Sequence, residues 1–476
     1  METLEPVEEP NTKAPYTPAE RKLLKKIIFA VMPLVCTVQY VQITDKFTLN
    51  SAGVMGIYED TGITHDQYSL LGSIFFVGFL VNQFPNAYFL QRLPISKYFG
   101  TIIGLWGIVL MCMSFGKNFS DLAGLRFLLG LLEATSAPTI LLVINLYFRR
   151  REQTICIAAM QLSSEVAVIF SHLIIYGIGY LDGHNGIRAW KWNFIIWGVV
   201  TVFIGICVFI FLPDQKESRW FRLTPTEKEI IKERICDIGM VQNKQFKLKH
   251  VTEALKETRL YCYCLIVVLL CLQNGCVSLY SSQIIRDSGF SKLDSVVLNV
   301  PRGVSAILIM FVAGYVSQRY NDTCRVGASM AVLFFIGALI LTTVQYGAVR
   351  LLGVYLSTML PAYVLMQSSC AKNVIGYTKK TFYNACIYVA ICIGNFIGPL
   401  MLREEEAPRY LSGMIGFMVA DLIAAVVFLY IYWWHKQENK RRQQLRNEGK
   451  IPVSPPSERD HLDLTDKEDL TFVYSY

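Results

Sequence analysis

Charged residues are scarce in this sequence. Asp, Glu, Lys and Arg make up 17% of its 476 residues, and hydrophobic residues make up 53%, whereas a soluble domain carries about 25% charged residues. The deficit lies in long apolar runs. A helix needs roughly 20 apolar residues to cross a hydrocarbon layer of about 30 Å, and its backbone amides are then satisfied internally. The composition argues against an ordinary soluble domain and predicts a helical membrane protein.

Motifs of catalysis are missing as well. The sequence contains no P-loop pattern, no GxSxG and no HExxH, so nothing supports ATP-driven transport or an enzyme. Thirteen cysteines are present, but they show no CxxC…CxxC or Cys/His metal spacing, and many lie in apolar runs, where Cys behaves as a small hydrophobe. We therefore expect no enzymatic activity, no metal and no cofactor.

Apolar runs follow one another from residue 27 to residue 434. Twelve can be counted, with approximate limits 27–52, 66–90, 98–116, 122–147, 154–180, 193–212, 260–284, 294–318, 326–345, 350–371, 381–402 and 411–434. A polar segment separates the sixth run from the seventh, and within it TPTEKEIIKERI predicts a surface helix capped by Thr224. Six spans on each side of a polar link is the layout of carriers with a solute site between two halves.

The distribution of Lys and Arg predicts the orientation. Bases gather on one side of the membrane, for example in Arg149–Arg151, in the central link and in Lys440–Arg442. By the positive-inside rule this side is cytoplasmic. The net charge of +8 then reflects topology, and no nucleic-acid partner is expected. The polar first 26 residues contain no pattern of a cleavable signal peptide.

We thus predict an all-α membrane protein whose twelve transmembrane helices form two six-helix bundles. The predicted parts are a cytoplasmic N-terminal tail (1–26), an N-terminal bundle (27–212), a cytoplasmic central link (213–259), a C-terminal bundle (260–434) and a cytoplasmic C-terminal tail (435–476). The C-terminal tail is polar and is predicted to be disordered up to its end, DLTDKEDLTFVYSY.

Ionisable residues inside the apolar runs are the first functional candidates, because each costs roughly 2.5 kcal/mol or more in a membrane. Arg126 and Glu133 lie seven residues apart in the fourth run, LRFLLGLLEATSAP, and therefore share one helix face. A face that carries a base and an acid predicts contact with a polar cavity. The alternative is that the two residues tie this helix to its neighbours through buried ion pairs.

Asp45 and Lys46 lie in the polar second half of the first run. In one interpretation the helix ends near Ile43 and the pair belongs to an extracellular loop. Residues 45–56 contain no proline and keep apolar residues at helical spacing. This pattern favours a helix that continues and lines a cavity.

Further polar residues lie in later runs. The fifth run carries Gln161, Glu165 and His172, and the last two are again seven residues apart. A histidine beside a carboxylate can relay protons, and a structural pair between packed helices is the alternative. In the second half, Asn274 and Asn395 either bind a solute or hydrogen-bond helices together. Arg302 and Asp421 are additional ionisable candidates.

Several stretches resemble a known family. They are TDKFTLNSAGVMGIYEDTGITHDQYSLLGSIFFVGFLVNQFPNAYFLQRLPISKYFG from Thr44, LRFLLGLLEATSAP from Leu125, GYTKK from Gly376, GNFIGP from Gly394 and APRYLSG from Ala407. With them the chain resembles the major facilitator superfamily and, within it, the anion:cation symporters of the fungal allantoate permease type. The resemblance spans nearly the whole chain in family order.

The resemblance implies two bundles that rock around a central site, usually driven by a proton gradient. The acid–base pair of the family's first helix matches Asp45 and Lys46, and the Arg and Glu of its fourth helix match Arg126 and Glu133. The carboxylates then become candidates for proton coupling and the bases candidates for anion binding. Two features depart from the pattern: YFLQRLPISK keeps Arg92 but lacks the usual aspartate, and Glu165 and His172 match no family motif.

From residues and resemblance together we expect a proton-coupled symporter for a small organic anion or zwitterion of the allantoate, vitamin, sulfur or amino compound class. A proton-independent facilitator and a non-transporting nutrient sensor are the alternatives. The expected partners are a small-molecule substrate, protons and the lipid bilayer, with the chain a monomer in the plasma membrane or, alternatively, an intracellular membrane. The expected proton-coupling residues are Asp45, Glu133, Glu165 and His172, and the expected substrate-binding residues are Lys46, Arg126, Gln161, Asn274 and Asn395.

Overall fold

Helices make up the ordered secondary structure in the described part of the chain. The computed structural model describes residues 17–213, 247–344, 346–406, 409–448 and 465–476, so the surface helix predicted at Thr224 lies outside the described residues. The α-helices are α1 (Pro18–Ala52), α2 (Ile57–Thr61), α3 (His65–Val81), α4 (Gln83–Arg92), α5 (Ile95–Cys112), α6 (Phe119–Glu133), α7 (Ser136–Tyr147), α8 (Arg150–Gly179), α9 (Ala189–Phe211), α10 (Leu248–Leu255), α11 (Thr258–Arg286), α12 (Lys292–Val297), α13 (Val300–Tyr320), α14 (Thr323–Thr343), α15 (Ala348–Leu356), α16 (Leu360–Asn373), α17 (Tyr377–Leu400) and α18 (Leu411–Asn447).

These helices form the twelve expected spans in two six-helix bundles. Eleven spans in the described part are long and apolar enough to cross a membrane as continuous helices or helix pairs. The remaining span is the second, which consists of α3 and α4 with a short break at Asn82. The N-terminal bundle contains α1 to α9, and the C-terminal bundle contains α11 to α18.

Four apolar runs that the sequence predicts as single helices are helix pairs: α3–α4, α6–α7, α12–α13 and α15–α16. In each pair a proline stands at the second or third position of the second helix: Pro85, Pro138, Pro301 or Pro361. Proline has no N–H, and its ring clashes with the carbonyl four residues earlier. The break therefore falls just before the proline, which is tolerated in the first turn of the new helix.

The outer helices extend beyond their apolar runs. Helix α1 begins at Pro18 and not near residue 27, because Thr17 caps it by accepting a hydrogen bond from the Glu20 backbone at 3.2 Å. Helix α18 continues to Asn447 and not to residue 434, and α10 and the start of α11 lie inside the predicted link 213–259. The length of an apolar run reflects the thickness of the hydrocarbon layer. The helix itself can extend beyond that run, because it ends only where its backbone is capped or broken.

Glycine allows two spans of the N-terminal bundle to pack backbone to backbone. A Cβ atom on Gly78 of α3 would lie 2.1 Å from the Phe127 carbonyl oxygen, and one on Gly130 of α6 would lie 2.0 Å from that of Phe75. Small residues permit this close approach, on which association within a membrane largely depends. The α3–α6 contact holds the two predicted site residues of α6 in position.

Contacts between described residues connect the two bundles toward one end of the molecule. We call the end with Arg92, Arg149 and Lys379 the basic end. Toward the opposite end, the Asn50 side chain donates to the Ser278 carbonyl and the Ser281 hydroxyl, each at 2.8 Å. Further contacts across the bundles at this end involve Ser69 with Tyr280 at 2.5 Å, Tyr58 with Gln283 at 3.1 Å, and His65, whose ring stacks on Tyr280 and Tyr410.

The α3–α6 packing leads to a prediction. We expect Gly130→Ala to destabilise the protein by about 1–3 kcal/mol, because the added methyl group meets a backbone oxygen that cannot move independently of its helix. The measurement is the thermal unfolding midpoint of the purified protein. Gly124→Ala, on the same helix with no heavy atom within 4 Å of the new Cβ, is the matched control. Equal midpoints for the two variants would contradict this packing.

Candidate functional site

Asp45 is buried in the N-terminal bundle. Its Oδ2 atom accepts a hydrogen bond from Trp106 Nε1 at 2.8 Å, and Trp106 is itself fully buried on α5. Thr48 lies one turn further along α1 and bonds to the Asp45 carbonyl at 2.6 Å. Helix α1 runs through this region to Ala52, so the interpretation as an extracellular loop is wrong. The side chain of Asp45 is held by a fixed partner.

Lys46 points to a different neighbour. Consecutive residues of a helix project about 100° apart, so Asp45 faces α5 while Lys46 approaches α6. The Lys46 Nζ atom lies 3.9 Å from Glu133 Oε1, and the exposed fraction is 34% for the Lys46 side chain and 0% for that of Glu133. The pair therefore consists of a partly exposed ammonium group and a fully buried carboxylate.

Arg126 and Glu133 have unused hydrogen-bonding capacity. Arg126 is buried, and within the described part of the chain its Nε and Nη2 atoms have no hydrogen-bond partner. Both carboxylate oxygens of Glu133 are in the same situation, although Gln42 lies nearby. Buried polar groups are normally satisfied, and unmade bonds at such a position indicate a place for a ligand, a proton or water.

The four residues matched to the family motif therefore form one charge cluster between α1 and α6. Arg126 lies within electrostatic reach of both Asp45 and Glu133. Lys46 in turn lies within electrostatic reach of Cys271 and Cys392 in the C-terminal bundle. The cluster thus belongs to the N-terminal bundle and faces its partner bundle through Lys46.

Asn274 and Asn395 bind each other on that facing surface. They stand one turn beyond Cys271 and Cys392 on α11 and α17, and Asn274 Nδ2 donates to Asn395 Oδ1 at 2.9 Å. Asn395 also donates to the Ile391 carbonyl at 2.8 Å. The pair connects two helices, as one sequence-based interpretation expected, and it lies on the helix faces nearest to Lys46.

Glu165 and His172 do not form the expected pair. They are two turns apart, which is about 10 Å along the axis of α8. His172 is buried, donates from Nδ1 to the Val168 carbonyl at 2.7 Å and packs on Phe47 with ring centroids 4.5 Å apart. Glu165 instead has Arg302 of the C-terminal bundle as its charged neighbour, and Gln161 is half-buried one turn before it.

Arg302 crosses the interface between the bundles. Its guanidinium carbon lies 5.3 Å from the centre of the Phe47 ring on α1, within the range of a cation–π contact. Asp421 stands apart from the cluster: it is fully buried on α18, and neither carboxylate oxygen has a hydrogen-bond partner within the described residues. The structure therefore adds Arg302 to the surroundings of the site and leaves Asp421 outside it.

Trp106 is the contact that sequence reasoning missed. It stands in an otherwise aliphatic and glycine-rich stretch of the third run, GTIIGLWGIVLMC. A buried tryptophan usually needs an acceptor for its N–H, and a buried aspartate needs a donor. This complementarity could have indicated a hydrogen bond between a buried tryptophan and a buried aspartate. The sequence alone does not show which tryptophan lies next to which acceptor.

Twelve spans in two bundles, with buried charges facing the interface between them, define a multi-pass membrane transporter. The chain belongs to the Major Facilitator Superfamily, whose family model matches residues 35–399. This confirms the fold and the superfamily that the sequence predicted.

Relatives among known proteins agree with that assignment. The chain is 31% identical over 469 residues to an uncharacterized transporter of Schizosaccharomyces pombe, with 97% of this chain and 88% of the relative covered. It is 29% identical to the allantoate permease of Saccharomyces cerevisiae, with 96% and 87% covered. The high affinity cysteine transporter of the same yeast is 25% identical, with 96% and 91% covered.

Solved structures share the fold. A bacterial homologue of the human lysosomal transporter Spinster, solved in an inward-facing and occupied conformation, superposes with a TM-score of 0.66 at 12% identity and covers 84% of this chain and 96% of its own. A D-xylose–proton symporter superposes with a TM-score of 0.63 at 11% identity, with 84% and 97% covered. At these identities the likeness concerns the fold alone.

The Trp106–Asp45 bond leads to a prediction. We expect Trp106→Phe to lower the free energy of unfolding by about 1–3 kcal/mol, because it leaves a buried carboxylate oxygen without its donor. Thermal unfolding of the purified protein measures the effect. The control is Trp197→Phe, because Trp197 is also buried in this bundle and its Nε1 atom has no partner in the described residues. A Trp197 variant that loses as much stability would show that ring packing, and not the hydrogen bond, matters here.

Proposed function

We propose that this transporter carries a small organic anion or zwitterion together with a proton. The observation that supports the proposal is the charge cluster of Lys46, Arg126, Asp45 and Glu133, which combines two cations with two carboxylates at the bundle interface. An anion needs fixed positive charge in the cavity, and coupling needs a group that alternates between charged and neutral forms.

Arg126 is suited to grip a carboxylate. Its planar guanidinium presents donors in a fork that matches a carboxylate bidentately, and the Nε and Nη2 atoms have no partner in the described residues. Lys46 can add charge from the partly exposed side of the cluster. The names of two relatives mention allantoate and cysteine, both of which carry a carboxylate group, and this supports the proposed substrate class.

Glu133 is suited to couple the substrate to a proton. Its carboxylate pairs with Lys46 at 3.9 Å. An anion that arrives at Lys46 and Arg126 competes for the same cations, so the Glu133 carboxylate loses attraction as the substrate gains it. A proton then binds to Glu133 as substrate binds, and symport follows from this competition alone.

The remaining assignments follow from the sequence. We propose that the basic end faces the cytoplasm, as the distribution of Lys and Arg indicates, and that the protein works as a monomer in the plasma membrane. The hydrogen bonds of Asn50 to the C-terminal bundle then lie toward the outer end. Glu165 and His172, which make no contact with each other, remain secondary proton-coupling candidates, and Gln161, Asn274 and Asn395 remain candidate substrate contacts.

A conservative substitution tests anion recognition. We expect Arg126→Lys to lose most substrate uptake, at least about tenfold, although charge is conserved, because an ammonium cannot reproduce the bidentate fork. Uptake of radiolabelled candidate carboxylates into reconstituted vesicles, at matched protein content, measures the loss. Normal uptake by this variant would show that Arg126 is structural.

Glu133→Gln tests proton coupling. This variant mimics a permanently protonated carboxyl group, so we expect it to lose accumulation driven by an imposed pH gradient and to keep substrate exchange across the membrane. Asp421→Asn, which changes another buried carboxylate away from the cluster, should retain both activities.

The outcomes separate the alternatives. Accumulation by Glu133→Gln under a pH gradient would move the coupling role to Asp45 or Glu165. Wild-type vesicles that only equilibrate the substrate would indicate facilitated diffusion, and vesicles that move none of the candidate carboxylates would favour a nutrient sensor.

A further inference from the structure

The last twelve residues form an ordered segment against the basic end of the C-terminal bundle. We call residues 465–476 the C-terminal segment. Thr465, Asp466 and Tyr474 in it are buried, although the sequence describes a polar tail. Buried backbone that is not part of a helix needs other partners for its polar groups, and the bundle provides them.

Asp466 is the charged anchor of the segment. Its carboxylate accepts a hydrogen bond from Lys379 Nζ at 2.7 Å and pairs with Arg259. Lys379 also lies 2.8 Å from Glu253 and 2.5 Å from Glu257. Burial alone would raise the pKa of Asp466, but the charges of Arg259 and Lys379 outweigh this effect and hold the pKa at about 2. The carboxylate is therefore charged at neutral pH.

The ammonium group of Lys379 also explains the acidic cluster around it. Glu253, Glu257 and Asp466 are close enough to hold a metal ion. Lys379 Nζ lies within 2.8 Å of an oxygen of each, so a cation from the chain itself already stands among them. The cluster is an ion-pair network that includes the C-terminal segment.

The second half of the segment is held by its backbone. Asn439 of α18 donates to the Tyr474 carbonyl at 2.8 Å and accepts from the Tyr474 N–H at 2.9 Å. Asn373 of α16 makes the same reciprocal pair with Ser475, at 2.9 and 2.7 Å. A side-chain amide has both a donor and an acceptor, so one asparagine can satisfy the N–H and the carbonyl of the same residue and hold the backbone there.

Aromatic and guanidinium groups complete the groove. The Tyr474 ring stacks on His435 at an interplanar angle of 6° with centroids 5.3 Å apart. Arg442 donates to the carbonyls of Asp466 and Phe472 at 2.8 and 2.9 Å. At the end of the chain, the Thr323 N–H donates to the Tyr476 carbonyl at 2.7 Å.

The segment also holds α10, the helix that precedes the first span of the C-terminal bundle. Thr465 donates to Glu253 of α10 at 3.1 Å, and Glu468 accepts from Lys249 of the same helix at 2.8 Å. Glu253 of α10 also pairs with Lys379 of the bundle at 2.8 Å, so the segment contacts both α10 and the bundle at the place where they meet.

We propose that this surface of the C-terminal bundle is a peptide-docking groove whose ligand is the chain's own C-terminal segment, anchored by Asp466 and Tyr474, and that docking fixes α10 to the bundle. The groove consists of Arg259, Asn373, Lys379, His435, Asn439 and Arg442. Docking thereby holds in place the residues that directly precede the first span of the C-terminal bundle.

Binding of a peptide in trans tests the groove without reference to transport. A chain that ends at residue 464 is purified, and a fluorescent peptide of residues 465–476 is titrated into it. We expect saturable binding that raises the thermal midpoint of the truncated protein. Asp466→Asn and Tyr474→Ala peptides should bind at least about tenfold more weakly, and a Val473→Ala peptide should bind like the unmodified one, because Val473 is 59% exposed.

A second measurement uses the full chain, in case the truncated protein does not fold. Trypsin should cleave next to Lys249 and Lys256 of the α10 region several-fold faster in Asp466→Asn than in the wild-type protein, whereas Val473→Ala should match the wild type. The proposal is overturned if a folded truncated protein does not bind the peptide, if the Asp466→Asn peptide binds equally well, or if cleavage is the same in all three full-length proteins.

Discussion

The cost of a charge inside a membrane protein is the constraint from which most features of this molecule follow. A carboxylate or guanidinium removed from water must find opposite charge or hydrogen bonds within the protein. Asp45 meets this demand through Trp106 at 2.8 Å. Arg126 and Glu133 meet it only in part, because polar atoms of both side chains have no hydrogen-bond partner in the described residues. Asp45 thus has a fixed partner, whereas Arg126 and Glu133 can still bind a ligand or a proton.

At the basic end of the C-terminal bundle, buried charges are compensated by opposite charges at hydrogen-bonding distance, unlike those of Arg126 and Glu133. Lys379 is surrounded by three carboxylates within 2.8 Å, and Arg259 pairs with two of them. Pairing of this kind makes a buried charge expensive to disturb, since removal of one partner leaves the other uncompensated. One buried network is therefore suited to hold the C-terminal segment, whereas the cluster around Glu133 is suited to change state.

The position of the cluster relates it to movement between the bundles. The charged residues belong to α1 and α6 of the N-terminal bundle, and the C-terminal bundle contributes the Asn274–Asn395 pair opposite them. The contacts that join the bundles lie toward the end opposite the basic end, where Asn50 bonds to α11. In the proposed mechanism, rocking at that joint changes the separation between Lys46 and the facing asparagines, and this change connects occupancy of the site to bundle position.

The sequence was sufficient to predict the class of fold and to single out the four charged residues of the cluster. Apolar runs of membrane length specify helices because the backbone has no other partner in lipid, and Asp45, Lys46, Arg126 and Glu133 stand out because charge is rare there. The prolines Pro85, Pro138, Pro301 and Pro361 also carried the signal for the four helix breaks.

Tertiary structure decided which side chains meet. Residues seven apart on α8 share a face, but helical rise keeps Glu165 and His172 two turns apart, and each takes a partner from another helix. The bond from Trp106 to Asp45 spans 61 positions of sequence, and that from Lys379 to Asp466 spans 87. Local pattern specifies a helix and its faces, whereas contacts at such separations depend on how the faces pack, and only the folded chain fixes that.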